Sequence, residues 1–311
     1  MMKKWLFVTI LLFGCGLLYY FLPNNIVENK TKTISVNAKA FSRTIRDDNN
    51  WIKWWPGFKS DNISTSFTYN DNTYTVVEKR YTSLVVNIQN ATDLFTTELI
   101  FTPVNKDSVM LTWNGKVLSR ITVFNKLKLY MLAKSIKKDM GSIMDKMQEF
   151  YSNEENIYGL AIKKELVIDS LLISTSVQTT TFPNNQTIYG MIEKLKIYAK
   201  ANSALQTNPP MLNIYTTDSI HYKIQVALPL NKKLSDKNDI VYRWMLGGGN
   251  ILTTDVKGGY YTINNGFSAM ENYVKDHERV APAIPFQQLI TDRKIESDTS
   301  KWLTRLCWPV M

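Results

Sequence analysis

The sequence predicts an α+β protein that carries one N-terminal transmembrane helix ahead of two folded domains. Three observations lead to this prediction: an uncharged apolar run near the N-terminus, a series of short strands closed by one long helix, and a later strand–helix–strand–strand order that is used twice. With 311 residues, 44% of them hydrophobic and 21% charged, the chain has a globular composition and enough length for two cores.

The N-terminal segment is an uncharged run over residues 5–22 that follows Lys3 and Lys4. A helix of that length spans roughly the hydrocarbon core of a bilayer, so we expect an uncleaved anchor. A cleaved signal peptide is one alternative, and Cys15 leaves a lipoprotein signal as another. The two lysines favour a cytoplasmic N-terminus with both domains outside, and the opposite topology stays open. Residues 1–32 then form the cytoplasmic tip, the anchor and a polar linker.

The first domain is predicted over residues 33–153. A short helix around residues 39–50 precedes strands between residues 64 and 116, which turns rich in Asn and Asp separate. A long helix follows over about residues 126–151, and its apolar side chains recur at helical spacing. Such a helix must lay its apolar face across the sheet.

Residues 34–41 and the tryptophan-rich segment 50–56 precede these strands and the closing helix. In these features residues 33–153 resemble the SRPBCC superfamily of START-like and polyketide-cyclase-like proteins. The resemblance implies a helix-grip fold with an apolar cavity between sheet and helix, and therefore a site for a hydrophobic ligand. The tryptophans of the segment and the methionines of the long helix either line such a cavity or fill a core, and the sequence leaves both open. The tryptophans are Trp51, Trp54 and Trp55.

The second domain, residues 154–311, repeats one order of elements. Strands over residues 157–181 lead to a helix over residues 184–201 and two further strands. Strands over residues 240–262 then lead to a helix at about residues 266–279 and two closing strands. The sequence therefore predicts a tandem βαββ unit.

The closing strands carry Pro-Phe-Gln-Gln at residues 285–288 and Trp-Pro-Val at residues 308–310. In this segment residues 157–311 are similar to the GyrI-like, AraC-type effector-binding domain. The resemblance implies a pseudo-symmetric repeat with a cleft between its halves that binds drugs and other small, often cationic aromatic molecules. Some relatives inhibit gyrase, and some are reported hydrolases.

By that resemblance, the ligand should contact aromatic side chains from both halves of the second domain. The faces of Trp and Tyr attract cations and bury much apolar ligand area. Gln287 stands where cation-binding members commonly have Glu, and a neutral amide cannot neutralise a buried cation, so a neutral or amphipathic ligand is favoured. The candidate ligand-binding residues are Tyr189, Tyr215, Tyr242, Trp244, Tyr261, Glu271, Gln287 and Trp308.

The charge and the cysteine and histidine content argue against several other partners. The formal net charge is +10, but basic residues alternate with acidic ones, so we expect no nucleic-acid partner. Two cysteines and two histidines, widely spaced, predict no metal site, and no motif predicts a cofactor. The expected partners are a hydrophobic or aromatic small molecule and, through the N-terminal helix, a membrane.

These observations favour a membrane-tethered protein that binds or senses a small hydrophobic or aromatic molecule. No catalytic motif is found, and no catalytic residue is assigned. One alternative is a hydrolase of a small lipophilic electrophile that uses Glu271 or Asp292 with a tyrosine of the cleft. A further alternative is an effector module like those of transcription regulators.

Overall fold

A computed structural model describes residues 14, 20–21, 25–59, 66–91, 93–118, 123–216, 218 and 220–311. The chain divides into two compact units, Met1–Ile157 and Tyr158–Met311. Each unit has its own sheet, and the strand pairings within each sheet are antiparallel.

The expected transmembrane helix requires a correction to the predicted fold class. Among the residues that the structure describes, no helix is both long and apolar enough to cross a bilayer. Most of residues 5–22 lie outside the described residues, apart from Gly14, Tyr20 and Phe21. The described chain forms two units of mostly antiparallel sheet with a few helices. For the part of the chain that the structure describes, the predicted fold class with one N-terminal transmembrane helix is therefore wrong, and so is the predicted membrane localisation.

The first unit is a sheet of seven described strands with one long helix and shorter ones. The strands follow the spatial order β1-β7-β6-β5-β4-β3-β2, so neighbours in sequence are mostly neighbours in the sheet. The strands are β1 Asn25–Ser35, β2 Phe58–Lys59, β3 Ser66–Tyr69, β4 Asn72–Lys79, β5 Ser83–Asn90, β6 Asp93–Asn105 and β7 Ser108–Leu118. The helices are α1 Ala38–Thr44, α2 Asp48–Trp54, α3 Val123–Tyr151 and, at the boundary of the units, α4 Glu154–Tyr158.

The tryptophans of α2 and its end belong to the core of the first unit. Trp51 stacks on Trp55 and on Phe67, with ring centroids 5.8 and 5.5 Å apart. The indole Nε1 of Trp51 donates to the backbone oxygen of Ile45 at 2.7 Å, and that of Trp55 to Thr68 at 2.9 Å. The sequence left two roles open for these tryptophans, lining a cavity or filling a core. Because the rings are buried and contact one another, they fill the core.

The second unit contains an eight-stranded sheet in the order β12-β9-β11-β10-β14-β15-β13-β8. The order strand, helix, strand, strand occurs twice, first as β9-α5-β10-β11 and then as β13-α6-β14-β15. The elements are β8 Lys163–Leu166, β9 Leu171–Thr179, α5 Asn185–Ala201, β10 Met211–Thr216, β11 Tyr222–Pro229, β12 Val241–Trp244, β13 Asn250–Lys257, α6 Tyr260–Asp276, β14 Phe286–Leu289, a 3₁₀ turn Thr299–Lys301 and β15 Leu303–Pro309.

The two halves of this sheet meet along a very short seam. Strands β10 and β14 pair only at Met211 with Gln288 and at Leu212 with Gln287. By contrast, β10 pairs with β11 at six positions. The rest of β10 therefore separates from the other half of the sheet, and this separation opens a cleft.

Helix α6 begins six residues earlier than the sequence predicts. The strand before it ends at Lys257 because Gly258 adopts φ 140°, a conformation that L side chains rarely adopt. A Cβ atom at Gly258 would also lie 2.5 Å from Oγ1 of Thr262. The chain turns here and enters the helix at Tyr260, so Tyr261 falls in the first helical turn rather than in a strand.

Candidate functional site

A cleft of about 660 Å³ opens in the second unit between α6 and the strands β10, β14 and β15. Aromatic and aliphatic side chains form most of its wall, and a few amide, hydroxyl and carboxylate groups interrupt it. The lining residues are Phe182, Leu212, Asn213, Ile214, Tyr215, Tyr260, Asn264, Phe267, Ser268, Glu271, Ile284, Pro285, Gln287 and Trp308. A volume of this size lies within the range of small-molecule sites.

Helix α6 supplies one whole wall of the cleft because its two faces differ. Positions 260, 264, 267, 268 and 271 line the cleft and follow helical spacing. The opposite face buries Ile263, Gly266 and Met270 against the sheet. A Cβ atom at Gly266 would lie 2.5 Å from Cδ1 of Leu306, so the absence of a side chain lets helix and strand approach closely.

Asn213 closes the end of the seam between the two halves of the sheet. Its Nδ2 donates to the backbone oxygen of Pro285 at 2.6 Å, which joins β10 to the segment before β14 where strand pairing has stopped. Its Oδ1 is buried without a hydrogen-bond partner among the described residues. The indole Nε1 of Trp308, another lining residue, is also buried without a partner in the described structure.

Behind the wall of the cleft lies the buried side chain of Arg293. Its Nη2 donates to Oε1 of Gln287 at 3.2 Å and to Oγ1 of Thr304 at 2.8 Å. Its guanidinium carbon lies 5.6 Å from the ring centroid of Tyr260 and 4.6 Å from that of Trp302. Burial lowers the pKa of Arg293 and raises the pKa of Tyr260 because both charged forms are desolvated.

Four of the predicted ligand-binding residues lie together in the cleft: Tyr215, Glu271, Gln287 and Trp308. Trp244 instead lines a smaller cavity of about 240 Å³. In β14, Phe286 lines the smaller cavity and Gln287 the cleft, so the two open on opposite faces of the sheet. The structure thus places five of the eight residues at two distinct cavities.

The other three predicted residues, Tyr189, Tyr242 and Tyr261, lie outside the lining of both cavities. Tyr189 is buried, and its hydroxyl accepts a hydrogen bond from the backbone N–H of Arg293 at 2.6 Å. Burial raises the pKa of Tyr189 to about 12. Tyr242 lies under Nζ of Lys233, 4.9 Å from the ring centroid, and Tyr261 is 81% exposed.

The sequence missed ten residues of the cleft lining, and four of them lie on α6. Tyr260, Asn264 and Phe267 share one helical face, and their spacing would have indicated a common surface had the helix been started at Tyr260. Phe182 precedes α5 and meets Tyr260 edge to face at 4.9 Å. No local pattern marked Asn213, because its role depends on the distant Pro285.

The carboxylates considered for hydrolysis have local partners. Glu271 lines the cleft, but its Oε1 lies 2.6 Å from Nζ of Lys275, one turn further along α6. Asp292 lies outside the lining, and its Oδ1 accepts from the backbone N–H of Lys294 at 2.9 Å. Asp292 therefore stabilises a turn, and neither geometry favours the hydrolase alternative over binding.

Comparison with known proteins gives structural neighbours only, since no family model and no curated protein matches the chain. The C-terminal domain of EcmrR shares 14% identity at a TM-score of 0.42, over 49% of this chain and 98% of that one. A hydrolase from Listeria innocua shares 10% identity at a TM-score of 0.37, over 51% and 96%. SAV2435 bound to tetraphenylphosphonium shares 10% identity at a TM-score of 0.33, over 49% and 94%.

These neighbours fit the expected GyrI-like effector-binding resemblance in part, and none of them supports the START-like resemblance or the anchor. Another neighbour is EcmrR in a DNA complex, with 14% identity and a TM-score of 0.43 over 60% of this chain and 69% of that one. The expectation that nucleic acid is no partner stays a prediction. Likeness at these identities and TM-scores carries no functional argument for this chain.

Proposed function

We propose that the second unit binds a small aromatic molecule in the cleft between α6 and strands β10, β14 and β15. The observation that carries this proposal is the cleft itself, which has the volume of a small-molecule site and a wall rich in aromatic side chains. Phe182, Tyr260, Phe267 and Trp308 offer ring faces and edges against which a ligand ring packs favourably.

Hydrogen bonds to polar groups in the wall would fix the orientation of a ligand that packs on these rings. Oδ1 of Asn213 and Nε1 of Trp308 lack hydrogen-bond partners in the described structure, although both residues line the cleft. Both atoms are buried, and a buried polar atom without a partner costs about 1–3 kcal/mol, so a side-chain movement that exposes either atom to the cleft lets a ligand gain affinity through that hydrogen bond. Binding and recognition, rather than a chemical step, are what this arrangement supports.

The experiment compares two neighbouring residues of the same helix. Both residues are exposed, but Asn264 lines the cleft and Asn265 lies outside its lining. The neutral fluorescent probe N-phenyl-1-naphthylamine is titrated into the whole protein and into the variants Asn264→Trp and Asn265→Trp. We expect saturable binding to the parent protein and to Asn265→Trp, and strongly weakened binding to Asn264→Trp because the indole occupies the cleft.

Two results would contradict the proposal. One is that the probe does not bind the parent protein at saturable sites. The other is that it binds Asn264→Trp and Asn265→Trp with equal affinity, since the site would then lie elsewhere. Circular dichroism of both variants checks that they keep the fold of the parent protein.

A further inference from the structure

Among the described charged residues of the second unit, Arg293 is the most deeply buried. The side chain is 3% exposed, yet its Nε and Nη1 atoms have no hydrogen-bond partner among the described residues. Its Nη2 reaches only neutral oxygens, those of Gln287 and Thr304. The rings of Tyr260 and Trp302 lie 5.6 and 4.6 Å from the guanidinium carbon. Arg293 is therefore held by neutral groups alone in this environment.

No carboxylate forms an ion pair with Arg293 within the described part of the chain. The neighbouring Asp292 is exposed, and its Oδ1 accepts from the backbone of Lys294. An arginine side chain stays protonated in proteins, so the positive charge persists. A buried charge without a counter-ion is costly, and cation–π contacts and neutral acceptors compensate only part of that cost.

The positive charge of Arg293 acts on a ligand in the cleft because the side chains next to its guanidinium form the wall of the cleft. Gln287 and Tyr260 both contact Arg293 and both line the cleft, so one layer of side chains separates the guanidinium from the space inside. The carboxylate in that wall, Glu271, is half exposed and paired with Lys275 at 2.6 Å. Solvent and Lys275 screen Glu271 strongly, whereas the buried guanidinium is screened much less.

We propose that the cleft selects anionic aromatic molecules over cationic ones of the same shape, with Arg293 as the counter-charge built into its wall. This inference rests on the proposed function of the cleft and adds the charge of the ligand. A positive charge at this depth disfavours a bound cation for the same electrostatic reason.

Tetraphenylborate and tetraphenylphosphonium test the proposal directly, since the two ions have nearly the same shape and opposite charge. Each is used to displace N-phenyl-1-naphthylamine from the whole protein. We expect tetraphenylborate to bind more tightly by a factor on the order of ten, as a Coulomb interaction through one side-chain layer implies. The preference should persist when salt is raised, because the charge is buried.

Three variants assign the preference to its source. Gln287→Glu puts a carboxylate beside the guanidinium with little change in shape, and we expect it to abolish the preference for the anion. Arg293→Gln removes the charge, and we expect it to abolish the preference as well. Lys232→Gln removes one exposed positive charge outside both described cavities and should leave the preference unchanged.

The outcomes separate this inference from the proposed function. If N-phenyl-1-naphthylamine binds in the cleft but the two ions compete equally, or the cation competes better, the charge selection is wrong and the binding site stands. If Lys232→Gln weakens the preference as much as Gln287→Glu does, the overall charge of the protein is responsible and the inference fails. If neither ion nor the neutral probe binds, both proposals fail together.

Discussion

In the first unit, helix α3 is 29 residues long, whereas α5 and α6 of the second unit have 17 residues each. At 1.5 Å per residue, α3 spans about 43 Å and each shorter helix about 25 Å. In the first unit the core behind the long helix is filled with aromatic rings such as Trp51 and Trp113, which are 1% exposed. In the second unit each short helix covers its own half of the sheet, and an open cleft borders α6.

The two units are both antiparallel sheets covered by helices, yet one has a packed core under its long helix and the other has an open cleft beside α6. Where large side chains converge under one helix, close packing leaves little room for a ligand between helix and sheet. The cavity of about 570 Å³ in the first unit lies elsewhere, beside α1 and β6, with Phe41, Arg46 and Phe101 in its lining. Where a sheet is built from two repeats joined by two paired positions, the halves separate beyond the seam and each brings its own helix.

The largest effect is expected from Trp51→Ala in the filled core. Trp51 is buried and contacts Trp54, Trp55 and Phe67. Its removal should cost about 3–5 kcal/mol of unfolding free energy, measured by urea denaturation. Phe58→Ala is the control, because Phe58 is 82% exposed and its loss should be nearly neutral. Equal effects of the two substitutions would show that the first unit is not closely packed.

The next largest effect is expected from Gly266→Ala in α6. The added methyl group would lie 2.5 Å from Cδ1 of Leu306 and 3.2 Å from Cγ1 of Val256, so the helix must shift. We expect a loss of about 1–3 kcal/mol in denaturation experiments. Gly190→Ala in α5 is the matched control, because its Cβ meets nothing within 4 Å. It should stabilise the protein by about 0.5–1 kcal/mol; the same sign for both would refute the close contact.

A smaller effect on stability is expected from Phe267→Ala in the wall of the cleft. Phe267 is half-buried and meets Trp308 edge to face at 6.4 Å. Because the ring faces an open space, we expect a loss of about 1 kcal/mol, well below that for Trp51. Binding of N-phenyl-1-naphthylamine should weaken roughly tenfold. A stability loss as large as at Trp51, with unchanged binding, would show that Phe267 is a core residue.

The smallest effect concerns the attachment of α3 to β1 and depends on pH. Burial opposes ionisation of Glu28, but hydrogen bonds from Lys137 at 2.8 Å and Lys134 at 3.1 Å outweigh it and lower its pKa. A lowered pKa means that the stabilisation is present above the ordinary pKa of Glu, about 4.3, and is lost as the pH falls through the folded value. Glu28→Gln should therefore lower Tm at about pH 7 and much less at about pH 3. Equal shifts of Tm at both values would contradict the ion pairs.

The local pattern of the sequence was enough for much of the second unit. Helix α5 begins where Asn184 accepts a hydrogen bond from the N–H of Thr187 at 2.9 Å, and the sequence predicts its bounds to within one residue. For α6 the local pattern predicted a start at about residue 266, whereas the helix begins at Tyr260. Tyr260, Tyr261 and Thr262 are residues that favour strands, and only the turn at Gly258 and the packing of Gly266 on Leu306 make them helical.

The sequence by itself determined the alternation of strands and helices in both units, because periodicity and capping act between residues close in the chain. It also predicted Tyr215, Glu271, Gln287 and Trp308 as ligand-binding residues; the structure places all four in the lining of one cleft, and their role in binding stays a prediction. Only the tertiary structure decided that the tryptophans of the first unit fill its core and that Arg293 is buried beside Gln287. These features depend on contacts between distant segments and on which charged groups are desolvated by burial. The spacing of residues along the chain predicts neither the contacts nor the desolvation.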